Sequence, residues 1–353
     1  IEDALQSDSF AMNLYRPVEA REHEVHFKLY SVGKAAPLSD VLPVLENMGL
    51  RVVREVPYRI RPHDMEHEVW IRDFDLASHD DTPIDLVTGR DRFHEAFAQT
   101  WTGQREDDGF NQLVLRANLA VRQITILRAY CKYLRQAQIP FSQEYMERTL
   151  ASHPHMARSL VELFETRFDP ENEEGRDKRA GEIIDWLETR FETITSLDED
   201  RILRAFLTVI DATLRTNHYQ TDEDGNLKSY LSFKLESHKI PGLPKPRPLY
   251  EIFVYATDIE GIHLRGGPVA RGGIRWSTRK EDYRTEVLGL MKAQMTKNAV
   301  IVPTGSKGGF VLRQPPAEMS LMPDAVRDGY ITFIRGLLDV TDNLVDGTVV
   351  HPD

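Results

Sequence analysis

The sequence is short of cysteine and of long apolar segments. Cys131 is its one cysteine among 353 residues, so the chain cannot form an internal disulfide. No Cys/His spacing of the kind that binds metal occurs, and we expect no metal site. No apolar run approaches the roughly 20 residues that a membrane helix needs, and the first residues lack a signal pattern. These absences predict a cytoplasmic protein that does not interact with a membrane.

Basic residues are outnumbered by acidic ones. The chain has 44 Lys and Arg against 56 Asp and Glu, a formal net charge of −12. Proteins that bind nucleic-acid phosphates usually carry a basic face, so we expect no nucleic-acid partner. Hydrophobic residues make up 41% and charged residues 28%, which is ordinary globular composition. The length suggests two or three domains.

One stretch departs from this acidic average. Between Arg265 and Arg313 there are ten basic residues and three acidic ones, and the stretch is rich in glycine. A basic, glycine-rich segment in an acidic chain is where an anionic small molecule would be held most easily.

Two glycine-containing motifs with cations lie in this stretch, at 271–275 and 305–309, with a helical pattern from Glu281 to Lys297 between them. Glycine lets a backbone approach a ligand closely. We expect Lys297 near the helix end and Lys307 on a loop to project into one crevice. Gly308 follows Lys307, so the phosphate-loop motif is not satisfied, and no G-x-G-x-x-G occurs in the chain.

The first third of the chain reads as strand, helix, strand, strand from residue 24 to about 76. Val25, Phe27 and Leu29 alternate as in a half-buried strand. Ser39 stands where a helix N-cap belongs, and Gly49 fits the end of that helix. This order of elements resembles the ACT-like ligand-sensing folds.

The middle of the chain is predicted to be helical. Apolar residues from Leu113 to Leu134 form one stripe of a single helix, which includes Cys131 as an inert core residue. The basic residues between them, Arg128 and Lys132 included, are expected to face solvent. The fold class predicted is multidomain α+β: an ACT-like unit, a helical region and a mixed α/β substrate domain, without a complete Rossmann domain.

The segment RGGIRWSTRKEDYRTEVLGLMKAQMTKNAVIVPTGSKGGFV resembles the amino-acid dehydrogenase superfamily, and specifically the large-subunit NAD-specific glutamate dehydrogenases of bacteria. The segments LSDVLPVLENMGLRVVREVPY and LRAYCKYLRQAQIPFSQEYME are similar to that family's regulatory and helical regions. The resemblance implies a fragment with an ACT-like region at 1–104, a helical region at 105–215 and the first part of the substrate-binding domain at 216–353. It implies oxidative deamination of L-glutamate to 2-oxoglutarate and ammonia.

The resemblance also implies roles for individual residues. Lys307 falls on the family's catalytic lysine, Lys297 on the lysine that binds the substrate α-carboxylate, and Arg271 on a cation that meets the γ-carboxylate. The remaining implied substrate-binding residues are Gly272, Gly273, Gly305 and Ser306. Arg at 271 stands where small enzymes have Lys, and these two cations are not equivalent donors. We expect the three cations to lie within about 10 Å of one another, near the Debye length of physiological salt.

The same resemblance implies NAD as cofactor, bound mainly by a domain outside this chain, and a homo-oligomer in the intact protein. The isolated chain is therefore expected to be inactive. Two alternatives stay open: a non-catalytic regulatory or oligomerisation module that binds an amino acid, and a dehydrogenase for another amino acid.

Overall fold

A computed structural model describes residues 10–61, 67–298 and 304–352, except for the side chains of residues 296–298. The chain divides into two compact units. Residues up to 125 together with 147–158 form the first unit, and 126–146 together with the residues from 159 onward form the second. No helix in the described ranges is long and apolar enough to cross a membrane.

The first unit is built on a four-stranded antiparallel sheet in the order β1-β2-β4-β3. Its elements are β1 (Phe10–Tyr15), β2 (Glu24–Val32), α1 (Leu38–Asn47), β3 (Leu50–Ile60), β4 (Val69–Ser78), α2 (Leu86–Trp101) and α3 (Leu113–Arg116). Val25, Phe27 and Leu29 are all buried, as their alternation predicts. The predicted strand, helix, strand, strand order is confirmed, and β1 and α2 add to it.

Only one end of α1 is formed by the residue that the sequence predicts. Gly49 follows the helix with φ +79°, a left-handed conformation that favours glycine, so this prediction is confirmed. The prediction for Ser39 is wrong. Pro37 occupies the N-cap position without a side-chain hydrogen bond, and the Ser39 hydroxyl donates to the Asp40 carboxylate at 2.9 Å instead.

The helical middle has five further helices. These are α4 (Val121–Gln136), α5 (Gln143–Ser152), α6 (Pro154–Phe168), α7 (Arg176–Phe191) and α8 (Leu197–Asp211). The predicted single helix from Leu113 is wrong, because Asn118 adopts φ 51° and separates α3 from α4.

The apolar stripe of α4 is confirmed where it includes Cys131, which is buried with its Sγ 3.7 Å from the Sδ of Met146. The expected solvation of the basic faces is wrong at two positions, since Arg128 is 1% exposed and Lys132 is 7% exposed. Lys132 Nζ donates to the Gln143 side chain at 2.7 Å. Periodicity shows which faces of a helix are apolar, but it does not show how many faces the rest of the protein covers.

The second unit contains a seven-stranded mixed sheet. Its strands are β5 (Thr213–Thr216), β6 (Leu231–Glu236), β7 (Tyr250–Tyr255), β8 (Ile259–Arg265), β9 (Ala270–Arg271), β10 (Ile274–Trp276) and β11 (Thr304–Leu312). Antiparallel pairs run from β5 to β8 and join β8 to β11, whereas β9 and β10 both pair in parallel with β11. Strand β11 therefore lies between β8 and the β9–β10 segment.

Two helices lie on opposite faces of β11. The helix α9 (Tyr283–Asn298) confirms the predicted helical run, and α10 (Met322–Asp339) lies on the other face. Residues beyond α10 form a two-stranded hairpin, β12 (Asn343–Val345) and β13 (Thr348–Val350).

Candidate active site

Lys307 lies in a strand, and the expectation of a loop is wrong. Gly305–Gly309 belongs to β11, where Lys307 is opposite Leu264 of β8. By local propensity alone, the glycines of this segment favour a loop. Pairing on both edges overrides that preference, and glycine within a strand often marks a close approach of other groups.

The Gly272-Gly273 pair lies on the other edge of β11. Arg271 pairs with Gly305 and Ile274 pairs with Gly308, so one register continues across the two glycines. Gly308 N–H donates to the Gly273 carbonyl at 3.1 Å. A Cβ atom on Gly272 would overlap the backbone carbonyl of Ser306. Only glycine fits at 272 without a backbone shift.

Gly273 lies next to the lysine amine. An ideal Cβ atom on Gly273 would lie 3.5 Å from Lys307 Nζ, and apart from Gly273 and its two chain neighbours no other described residue has an atom within 4 Å of that position. The missing side chain therefore leaves open space beside the amine. A small ligand that contacts Lys307 can approach through this space.

Helix α9 covers the Lys307 face of β11. A Cβ atom on Gly305 would lie 2.6 Å from Gln294 Cβ, and one on Gly309 would lie 2.5 Å from Val287 Cγ2. Alternate residues of a strand share a face, so Lys307 lies between the two contacts with this helix.

Two arginines share this face by register. Arg271 is opposite Gly305 and Arg275 is opposite Gly309. Arg275 Nη1 forms an ion pair with Glu286 Oε1 of α9 at 3.2 Å. Arg271 is exposed and forms no ion pair with any residue in the described ranges. It is therefore available to an anionic ligand.

Lys297 is placed only in part. Its backbone belongs to the last turn of α9, but its side chain lies outside the described side chains. The expected convergence of Arg271, Lys297 and Lys307 therefore stays a prediction.

The opposite face of β11 carries Phe310 and Leu312 towards its end, and His263 of β8 lies beside it. Ser306 is buried at 5% exposure on this face, so its side chain points away from the Lys307 side. A Cβ atom on Gly308, which shares this face, would lie 3.2 Å from His263 Cδ2 and 3.4 Å from the Phe333 ring. Burial, and secondarily the charge of Arg265, lowers the pKa of His263 to about 4, so this imidazole is neutral at neutral pH.

A buried polar cluster beneath α9 was missed from the sequence. Arg284 and Glu251 form an ion pair with both side chains fully buried. Glu251 shares one face of β7 with Phe253 and Tyr255. An acidic residue at such a core-facing position of a strand is the sequence feature that could have indicated a buried ion pair. Among the residues that the structure describes, no group of acidic, His or Cys side chains could hold a metal ion.

Three family profiles match the chain. They describe a bacterial NAD-glutamate dehydrogenase catalytic domain at residues 186–353, a glutamate dehydrogenase helical motif 3 at 105–170 and a glutamate dehydrogenase ACT3 domain at 9–88. The catalytic-domain match contains the whole of β11 and α9.

Curated relatives agree with these matches. The NAD-specific glutamate dehydrogenase of Halomonas elongata is 49% identical over 345 residues, and that of Pseudomonas aeruginosa is 48% identical over 350 residues; each alignment covers 97% of this chain. The NAD-specific glutamate dehydrogenase of Mycobacterium tuberculosis is 46% identical over 339 residues, 91% of this chain. The chain spans about a fifth of the length of these relatives, 21% in each case. On the combined evidence of three profiles and these identities, the chain belongs to the large bacterial NAD-specific glutamate dehydrogenases.

Proposed function

We propose that this chain supplies the first part of the substrate site of an NAD-dependent glutamate dehydrogenase. The protein that contains it would oxidise L-glutamate to 2-oxoglutarate and ammonia. The observation that carries the proposal is the open space beside Lys307 Nζ, on a sheet face that also bears Arg271 and lies under α9. Cations around a small open space suit a dicarboxylate.

Each cation has a proposed role. Lys297 binds the α-carboxylate of glutamate and Arg271 meets the γ-carboxylate. Lys307 assists the attacking water by accepting its proton. Gly272 and Gly273 keep the β9–β10 segment close to β11, and Gly305 and Ser306 lead the chain into Lys307.

With NAD bound by the longer protein, loss of the Cα hydride from glutamate whose amino group is neutral would leave an iminium group on the substrate. Water would then add to Cα and pass one proton to the neutral form of Lys307, which gives a carbinolamine. Transfer of the carbinolamine hydroxyl proton to the amino group, with cleavage of the C–N bond, would release ammonia and leave the 2-oxo group.

NAD supplies the hydride acceptor when it is bound. The chain carries no G-x-G-x-x-G motif, so we assign no NAD-binding residue within it. We propose that NAD is bound mainly by a part of the longer protein outside residues 1–353. Homo-oligomeric assembly, a cytoplasmic location and the three-region division at 1–104, 105–215 and 216–353 are kept as proposals on the same basis.

Two measurements test the proposal. The full-length protein should reduce NAD in the presence of glutamate, and glutamate should be preferred over leucine. Isothermal titration of this chain should show binding of glutamate or 2-oxoglutarate, weakened in an Arg271→Leu variant, and no binding of NAD. Dicarboxylate binding by a full-length protein without NAD reduction would instead support a regulatory module. A preference for leucine would identify a dehydrogenase of another specificity.

A further inference from the structure

The Glu251 carboxylate lies at the centre of a fully buried hydrogen-bonded cluster. Arg284 Nε donates to Oε2 at 2.9 Å and Arg284 Nη2 donates to Oε1 at 2.6 Å, so two parallel bonds join the pair. The Tyr133 hydroxyl donates to Oε2 at 3.1 Å, and the Ser237 hydroxyl donates to Oε1 at 3.2 Å. Both charged side chains are 0% exposed. The carboxylate thus accepts four hydrogen bonds inside the protein.

Gln136 of α4 holds the start of α9 through its side-chain amide. Its Oε1 accepts from the backbone N–H of Arg284 at 3.2 Å, and its Nε2 donates to the carbonyls of Lys280 at 2.9 Å and Glu281 at 3.2 Å. The first turn of α9 is therefore fixed both through the Arg284 side chain and through the backbone.

Stability alone does not account for this pair. Two charges lose their hydration on burial, and well-packed apolar residues of similar volume are often as stable or more stable. Arg284 Nη1 is buried and has no hydrogen-bond partner among the described residues, which adds to the cost. Unlike apolar packing, the pair fixes the relative orientation of its two side chains, because two parallel hydrogen bonds join them.

The orientation of α9 matters at Lys307. Glu251, Leu264 and Lys307 lie side by side on β7, β8 and β11, on the face that α9 covers. Arg284 lies at the start of this helix and Lys297 in its last turn. Between them, Val287 packs on Gly309 and Gln294 packs on Gly305, the two glycines that flank Lys307.

We propose that Arg284 and Glu251 are positioning residues that set α9 over β11, and so set the position of Lys297 relative to Lys307. The kinetic part of this inference rests on the proposed function. A shift of α9 would displace the group that binds the α-carboxylate while leaving Lys307 in its strand.

The test replaces the charged pair by apolar residues in the full-length protein. Glu251→Leu with Arg284→Met removes both charges together, so no unpaired charge stays buried. We expect KM for glutamate to rise about tenfold and kcat to change by less than about threefold, because ground-state binding is the affected step. Arg284→Lys keeps the charge but not the two parallel bonds, and we expect a smaller rise of about threefold.

A matched control removes a different ion pair of the same unit. Lys228 Nζ lies 2.7 Å from Asp339 Oδ1, with side-chain exposures of 16% and 12%, at the end of α10 rather than in α9. Lys228→Met with Asp339→Leu should leave KM unchanged. An equal rise in KM for the control would overturn the proposal, since general loosening of the unit would then explain both results.

A second readout does not depend on catalysis. Hydrogen exchange of the α9 amides should be faster in the Glu251/Arg284 double variant and in Arg284→Lys than in the wild type or the control. Unchanged α9 exchange in Arg284→Lys, which keeps the charge balance, overturns the positioning role even if the double variant fails to fold. Absence of NAD reduction by the wild-type protein would overturn the proposed function instead, and exchange would still decide the positioning role.

Discussion

Lys307 Nζ lies 3.5 Å from the position that a Cβ atom would take on Gly273, on the adjacent strand segment. The space beside the amine exists because residue 273 has no side chain. The same two strands are held together at Gly272, where a Cβ atom would overlap the Ser306 carbonyl. Glycine is therefore required for open space at 273 and for close strand approach at 272. Substitution of each residue by alanine should have a different effect.

Gly273→Ala should lower activity without loss of stability. The new methyl group would make an ordinary van der Waals contact with Lys307 Nζ and fill the approach to it. We expect kcat/KM for glutamate to fall about 10- to 100-fold, the scale of a small misplacement of reacting groups, with an unchanged melting temperature. Gly272→Ala should instead lower the melting temperature. Equal stability of both variants would contradict the pairing of the β9–β10 segment with β11.

Lys307→Ala and Lys297→Ala should affect different kinetic constants in the full-length protein. Lys307→Ala should lower kcat by about 10²–10⁴-fold, the usual contribution of a positioned acid–base group. Under the proposed function, Lys297→Ala removes a charged contact to a carboxylate that is present in the ground state. Its KM should rise by an amount equivalent to about 1.5–3 kcal/mol. Steady-state kinetics with glutamate as the varied substrate measure both. Full kcat in Lys307→Ala would remove this lysine from the catalytic site.

Gly305→Ala should destabilise the second unit because the helix backbone lies too close. A Cβ atom there would lie 2.7 Å from the backbone nitrogen of Met295, so α9 must move away from β11. We expect a loss of about 1–3 kcal/mol in the free energy of unfolding, as for overpacking in a core. Urea denaturation of this chain measures the change.

The matched control for that substitution is Gly289→Ala. Gly289 lies in α9, and among the described residues outside its own stretch of helix no atom lies within 4 Å of the position of a Cβ atom on it. Alanine there should raise the free energy of unfolding by about 0.5–1 kcal/mol, because glycine is unfavourable inside a helix. A loss of stability at both positions would show that α9 tolerates no added methyl group, against the contact geometry.

His263 should make the second unit less stable in mild acid. Burial and the Arg265 charge lower its pKa from 6.5 to about 4, so the unfolded chain binds the proton more readily than the folded protein. The contribution of the neutral His263 imidazole to the free energy of unfolding is fully present above pH 6.5 and is lost as the pH falls towards 4. Between pH 7.5 and pH 5 this amounts to about 1–2 kcal/mol.

His263→Leu should flatten this pH dependence by about that amount in urea denaturation at the two pH values. His238 offers a control, because its side chain is 63% exposed. His238→Leu should keep the wild-type difference between the two pH values. If His263→Leu also keeps the wild-type difference in unfolding free energy, the His263 imidazole is not the group that causes the pH dependence.

The sequence by itself determined the elements whose signal is local. Alternation at Val25, Phe27 and Leu29 predicted β2, and Gly49 predicted the end of α1, since each depends only on neighbouring residues. The order of cations and glycines from Arg271 to Lys307 indicated the family, which the profiles and relatives then supported.

Only the tertiary structure decided the surroundings of Lys307. Pairing on both edges made Gly305–Gly309 a strand, although its glycines favour a loop. The contact between Arg284 and Glu251 joins residues 33 positions apart, and Tyr133 reaches Glu251 from 118 positions away. Such contacts depend on which strand lies beside which and on the helix above them. Local residue patterns carry propensity and periodicity but not these long-range pairings, so the sequence could indicate candidate site residues and could not arrange them.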